Sequence, residues 1–209
     1  MQLTPPTTAP ARTPAERTEP APTPIPQIQG GGSLSPYSGK QATVSGVVTG
    51  IQRTGASAGF FLQDPTGDGD AATSDGIYIR IGEDVTGWQD DVSIGARATA
   101  TGIVSERGSM TAIEVAARGA LKVGTRPSLG PALPEVLDVP VDPAQRAEYL
   151  ESREGMLVTM ERAIVVGPTN QYGQYVALDA DKHGARRMGS EPDTTGFIHV
   201  NGRIGPKPQ

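Results

Sequence analysis

Residues 59–81 read GFFLQDPTGDGDAATSDGIYIRI, two short apolar runs around a loop with four aspartates in twelve residues. The second run alternates: Ile77, Ile79 and Ile81 fall on one face, Tyr78 and Arg80 on the other, the pattern of a half-buried strand. The first, GFFLQD, is short, aromatic and bounded by glycine, so the whole reads as two strands and their connection. Working outward, ATVSGVVTGI (42–51) is rich in β-branched residues. SIGARATATGIVSE (93–106) and MTAIEVA (110–116) add a fourth and fifth strand, joined by an RGS turn at 107–109, and ALKVG (120–124) extends the sheet. Gly46, Gly50 and Gly102 lie inside these strands, where glycine marks the bulges and bends that let a small barrel close. Five or six short strands of this spacing predict a mainly β protein with an OB-fold-like barrel over residues 34–124.

The flanks read differently. Residues 1–29 carry eight of the nineteen prolines without apolar periodicity, and GGGS follows at 30–33, so 1–33 is expected to be a disordered Pro/Thr-rich linker. Residues 125–141 are proline-punctuated and are expected to run extended. In 142–155, Asp142 is placed as N-cap, Pro143 at the first helical position and Gly155 as the stop, predicting the one short helix. MLVTMERAIVVG (156–167), QYVALDA (174–180) and GFIHVNGRI (196–204) then supply a smaller β unit, so 142–209 is read as a helix plus a small, incomplete sheet.

The formal charge of −5 argues against a high-affinity duplex reader, while leaving room for a local basic groove. The chain has no cysteine, which excludes disulfides and thiolate metal sites. It has no apolar run of membrane-spanning length. Its first residues show neither a basic nor an apolar signal region, so no signal peptide is visible, although a Pro/Thr-rich spacer is common just after a removed signal or lipid anchor.

Two constellations could carry function. Counting Asp64 as position 1, Thr66, Asp68 and Asp75 stand at positions 3, 5 and 12 with Gly69 at position 6, and Asp70 offers a carbonyl at position 7. That is calcium-loop spacing, because a hard cation needs several oxygens and the glycine permits the sharp turn. Pro65 and the flanking strands depart from that pattern, and the other reading is a polar loop in which Asp and Gly serve turn geometry. The second is a thin stacking platform: Phe61 or Phe60 with Tyr78, and Arg80, Arg53 and Arg97 as phosphate contacts, against the alternative that one Phe belongs to the core and Tyr78 and Arg80 cover a solvated face. Trp88 reads as a packing lid. His183 and His199 are isolated, and no nucleophile elbow, P-loop, dinucleotide fingerprint or zinc-protease motif is present.

GFFLQDPTGDGDAATSDGIYI, VSIGARATATGIVSE and YLESREGMLV together resemble the N-terminal accessory region of secreted bacterial nucleases, in which a catalytic domain of the endonuclease/exonuclease/phosphatase superfamily follows. The resemblance covers about residues 27–180, with Ala96 standing where that family usually has Asp. It implies an OB-fold-like, non-catalytic module that binds single-stranded or extracellular DNA or RNA weakly. A separate nuclease domain is the implied partner, and the setting is secreted or cell-surface. The family's catalytic Asn/Glu pair, Asp-x-Asn element and terminal Asp-His pair are not recognisable, so no catalytic residue carries over. The competing expectations are an extracellular structural domain stabilised by calcium, and a fragment of a nuclease.

Overall fold

The computed structural model describes residues 21–53, 55–107, 110–124, 134–165, 168, 174–179 and 198–201. Five strands close a barrel: β1 (Gln41–Gln52), β2 (Gly59–Gln63), β3 (Gly76–Ile81), β4 (Arg97–Glu106) and β5 (Thr111–Val115). Their order is β1-β2-β3-β5-β4, with β1 pairing back onto β4. Only β3–β5 is parallel, Tyr78 lying opposite Ala112, and the other pairs are antiparallel. β1 serves both halves of the barrel because its register shifts between Val48 and Gly50, a bulge that turns the strand from one partner to the next. β6 (Leu121–Val123) adds to β4. This is the five-stranded OB-like barrel that the strand spacing predicts.

The interior follows the alternation. Val44, Val48, Phe60, Leu62, Ile77, Ile79, Val104 and Ile113 are fully buried in one cluster, with Ala98 and Ala100 filling the narrow positions on β4. Fully burying each branched or aromatic side chain contributes about 1.5–3 kcal/mol, so this cluster dominates the stability of the barrel. Trp88 does act as a lid. It begins a four-residue helix, α2 (Trp88–Asp91), after β3, and its ring lies 6.1 Å from that of Phe60.

The linker expectation fails at its C-terminal end. Residues 25–29 form a helix, α1 (Ile25–Gln29), and Ile25 and Ile28 belong to the core cluster. Proline tolerates the first turn of a helix, where its missing N–H has no partner to lose, so Pro24 and Pro26 do not forbid it. One turn is too short to display a period, which is why composition misread it. Among the described residues there are thus three helices rather than one.

The expected helix, α3 (Pro143–Glu151), is capped as the sequence requires: the Asp142 carboxylate accepts the N–H groups of Ala144 and Gln145, both at 3.0 Å. It ends at Glu151, and a turn carries the chain to Gly155, whose φ is +71°. Residues 134–141, the described part of the connector, include a short pairing: β7 (Glu135–Val136) runs parallel to β8 (Val158–Thr159). The apolar run 156–167 breaks at Glu161–Arg162, giving β8 and then β9 (Ala163–Val165). β9 joins β10 (Gln174–Asp179) and β11 (Ile198–Asn201) in a three-stranded sheet. The expectations for residues 1–20 and for the loop around His183 lie outside the described residues.

Candidate nucleic-acid interface

Because β2 and β3 alternate, their outward side chains form one face: Gly59, Phe61 and Gln63 opposite Arg80, Tyr78 and Gly76. The Phe61 and Tyr78 rings touch, with centroids 4.7 Å apart and planes tilted by 51°. Their exposures differ. Phe61 is half-buried, whereas Tyr78 is 3% exposed and its hydroxyl donates to the Ser57 carbonyl in the β1–β2 turn. Burial pushes the Tyr78 phenol up to about 12, against a smaller opposing pull from Arg80. Tyr78 therefore packs against the side of Phe61, and Phe61 is the ring that solvent reaches.

Above this pair stands a charge cluster. Arg80 reaches Glu114 at 2.6 Å and also donates to the Ala56 carbonyl from Nε and Nη2, at 3.2 and 2.9 Å. Arg107, in the β4–β5 turn, reaches the other Glu114 oxygen at 3.0 Å, and the Ser105 hydroxyl donates to the same oxygen at 2.9 Å. Burial alone would raise the Glu114 carboxyl, but the hydrogen bonds from Arg80, Arg107 and Ser105 outweigh it and hold the group below its ordinary value. Two guanidiniums face one carboxylate, and the Arg107 side chain is 62% exposed. The sequence reading omitted Arg107; its place in the β4–β5 turn was the available signal, since that loop flanks the ligand face of OB barrels.

The other two cations lie elsewhere. Arg53 donates to the Gln89 and Val92 carbonyls, tying the end of β1 to α2. Arg97 is exposed on β4 opposite Val47, on the β1–β4 side of the barrel.

In the β2–β3 loop, the aspartates cap the backbone one after another. Asp64 accepts from the Thr66 N–H, Asp68 from Asp70 N–H and Asp70 from Ala72 N–H, each at 2.9 Å. The Thr73 hydroxyl bonds both Asp68 oxygens, at 3.2 and 3.0 Å. These are Asx turns, in which a short carboxylate replaces a backbone acceptor. Asp75 is different, because its Oδ1 is buried without a hydrogen-bond partner. Burial and the charges of Asp68, Asp64 and Glu135 push this carboxyl up, against one bond from the Asp68 backbone. Among the described residues, no three acidic or imidazole groups converge where an ion could be held. A cavity of about 200 Å³ separates the loop from Glu135, Ser152, Arg153 and Met156. Arg153 bridges its rim, bonding Glu135 at 2.9 Å and the Ala71 carbonyl at 3.3 Å, with its guanidinium 4.0 Å from the Tyr149 ring centroid.

Fold and face together define an OB-like barrel protein whose outward β2–β3 surface joins one accessible ring to a cationic rim. The family described as "Domain of unknown function (DUF8508)" matches residues 132–201, the part that holds α3 and the smaller sheets. No curated protein sequence matches the chain. Among solved structures the chain is similar to asparaginyl-tRNA synthetase from Pyrococcus horikoshii, at 19% identity and a TM-score of 0.32, over 52% of this chain and 24% of that one. The same enzyme complexed with asparaginyl-adenylate gives 16% identity and a TM-score of 0.31, over 56% of this chain and 26% of that one. The chain spans about a quarter of the length of those structures.

Proposed function

We propose that this protein is a non-catalytic module that binds single-stranded nucleic acid on the outer face of β2 and β3, outside the cell and alongside a separate nuclease domain. The nuclease partner and the extracellular setting rest on the motif resemblance. The binding face rests on one observation: the partly exposed Phe61 ring, 4.7 Å from buried Tyr78, shares its face with Arg80, which Glu114 links to Arg107. Aromatic stacking accepts any base, and guanidiniums accept phosphate bidentately, so the expected ligand is a single strand read without sequence preference. Two phosphate contacts predict a slope of log affinity against log salt of about −1.4, and so few contacts supply little electrostatic affinity, so binding is expected to be weak.

Anisotropy titrations with fluorescein-labelled oligothymidylate and oligouridylate at low salt test this. Phe61→Ala is expected to weaken binding by about 1–3 kcal/mol, and Arg107→Gln to flatten the salt slope by about 0.7. No binding at low salt, or binding indifferent to Phe61→Ala, sinks the proposal.

A second reading, a calcium-stabilised structural domain, is favoured by Asp75 alone. An unpartnered carboxylate oxygen among like charges is what a cation would relieve. A calcium-dependent rise in melting temperature, abolished by Asp75→Asn, is its test.

A further inference from the structure

The lower half of the same face is covered by the chain itself. The Ser74 hydroxyl donates to the Glu154 carbonyl at 2.6 Å, and the Leu157 N–H donates to Gln63 Oε1 at 2.7 Å. A β-carbon on Gly76 would lie 2.4 Å from the Gly155 carbonyl carbon and the Met156 nitrogen, so the two backbones meet without a side chain between them. At the centre, the Glu154 carboxyl accepts the Thr111 N–H of β5 at 2.5 Å. Gln63 and Gly76 are outward residues of β2 and β3, the strands whose face takes oligonucleotides in OB barrels.

We infer that residues 153–157 form an intramolecular strap, held to β5 by the Glu154 carboxyl, that occupies half of the strand-binding face and limits access to it until it lifts. The gating rests on the reading of that face given above; the docking does not. Strap and single strand compete for Gln63 and Gly76, so apparent affinity scales with the fraction of molecules whose strap is lifted. The groups facing Glu154 are Thr111 from β5, Gln29 from α1, Glu106 from β4 and Glu151 at the end of α3. Arg153, its neighbour, is committed to Glu135 and the Ala71 carbonyl. Burial pushes the Glu154 carboxyl up to about 7, and repulsion from Glu151 and Glu106 adds to this against the Thr111 and Gln29 hydrogen bonds. The docked strap holds the proton, so docking weakens as pH rises from the ordinary carboxylate range through about 7 and levels off above it.

Gly76→Ala in the full chain is the wedge, and Glu154→Ala the second variant should the wedge misfold. Hydrogen exchange at the Leu157 and Thr111 amides, and tryptic cleavage after Arg153, report the strap without any nucleic acid. Both variants are expected to lose amide protection, to be cut faster and to bind oligothymidylate about tenfold more tightly. Glu154→Gln, which keeps an acceptor and loses the charge, is expected to stay protected at about pH 8, where the native chain loosens. Protection and cleavage unchanged in both variants overturn the strap. A lifted strap with unchanged affinity overturns the gating. Absence of strand binding in every variant overturns the binding face instead.

Discussion

Phe61 and Tyr78 lie on one face in ring contact, yet different forces hold them. Tyr78 is pinned by its hydroxyl on the Ser57 carbonyl and slots beside Gly59, where a β-carbon would come within 2.8 Å of that hydroxyl. Phe61 keeps an edge in water. The two substitutions should therefore separate. Tyr78→Phe removes a buried hydrogen bond and is expected to cost about 1 kcal/mol in denaturant unfolding, with strand affinity unchanged. Phe61→Ala is expected to move affinity more than stability. Equal effects of both changes on binding would show that Tyr78 meets the strand directly. The alternation of Ile77, Ile79 and Ile81 places those three correctly inside the barrel. The same alternation puts Tyr78 outward, and so it is; what covers it is a turn some twenty residues away in sequence, which no local period encodes.

At the scale of elements, the β2–β3 loop sets two uses of aspartate side by side. Asp64, Asp68 and Asp70 cap backbone N–H groups, the use that glycine-rich turns favour, while Asp75 is left with a buried, unpartnered oxygen. Removing its charge should relieve the repulsion from Asp68, Asp64 and Glu135, so Asp75→Asn is expected to raise the melting temperature in chelator. If a cation serves the loop, millimolar calcium raises the native chain and leaves the variant flat; parallel behaviour of the two eliminates that use. α3 offers a cleaner case. Asp142→Ala leaves the Ala144 and Gln145 N–H groups uncapped and is expected to cost about 1 kcal/mol. That helix was readable because cap and proline announce its start. α1 and α2 were not, because helices of five and four residues owe their form to the apolar side chains they insert, Ile25, Ile28 and Trp88, rather than to any pattern of their own.

Across the whole molecule, the strands and their enclosing barrel are legible in the sequence, but the interface between the barrel and its C-terminal unit is not. SREGMLV reads as the end of a helix and the start of a strand, and nothing in it announces that Glu154 will be buried against β5. The pH response of the chain follows from that burial. Glu154 and Asp75 are both pushed up, so the folded state retains protons that the unfolded chain has released, and each subtracts stability as pH rises. Glu114, held down by its two arginines, acts with the opposite sign: its contribution is present above the ordinary carboxylate value and is lost as acid protonates it. A bare stability–pH curve mixes these groups, whereas the difference between the native chain and Glu154→Gln isolates one. That difference is expected to be near zero below the ordinary carboxylate range, to open in favour of Glu154→Gln as pH rises to about 7, and then to stay constant. Because Glu154 is only partly buried, solvent screening limits the plateau to about 1–2 kcal/mol. Denaturant midpoints measured across that range decide it. A difference of constant size at every pH would mean that Glu154 titrates alike in the folded and unfolded chain, and a difference of the opposite sign would mean that the carboxylate, rather than the acid, holds the strap to β5.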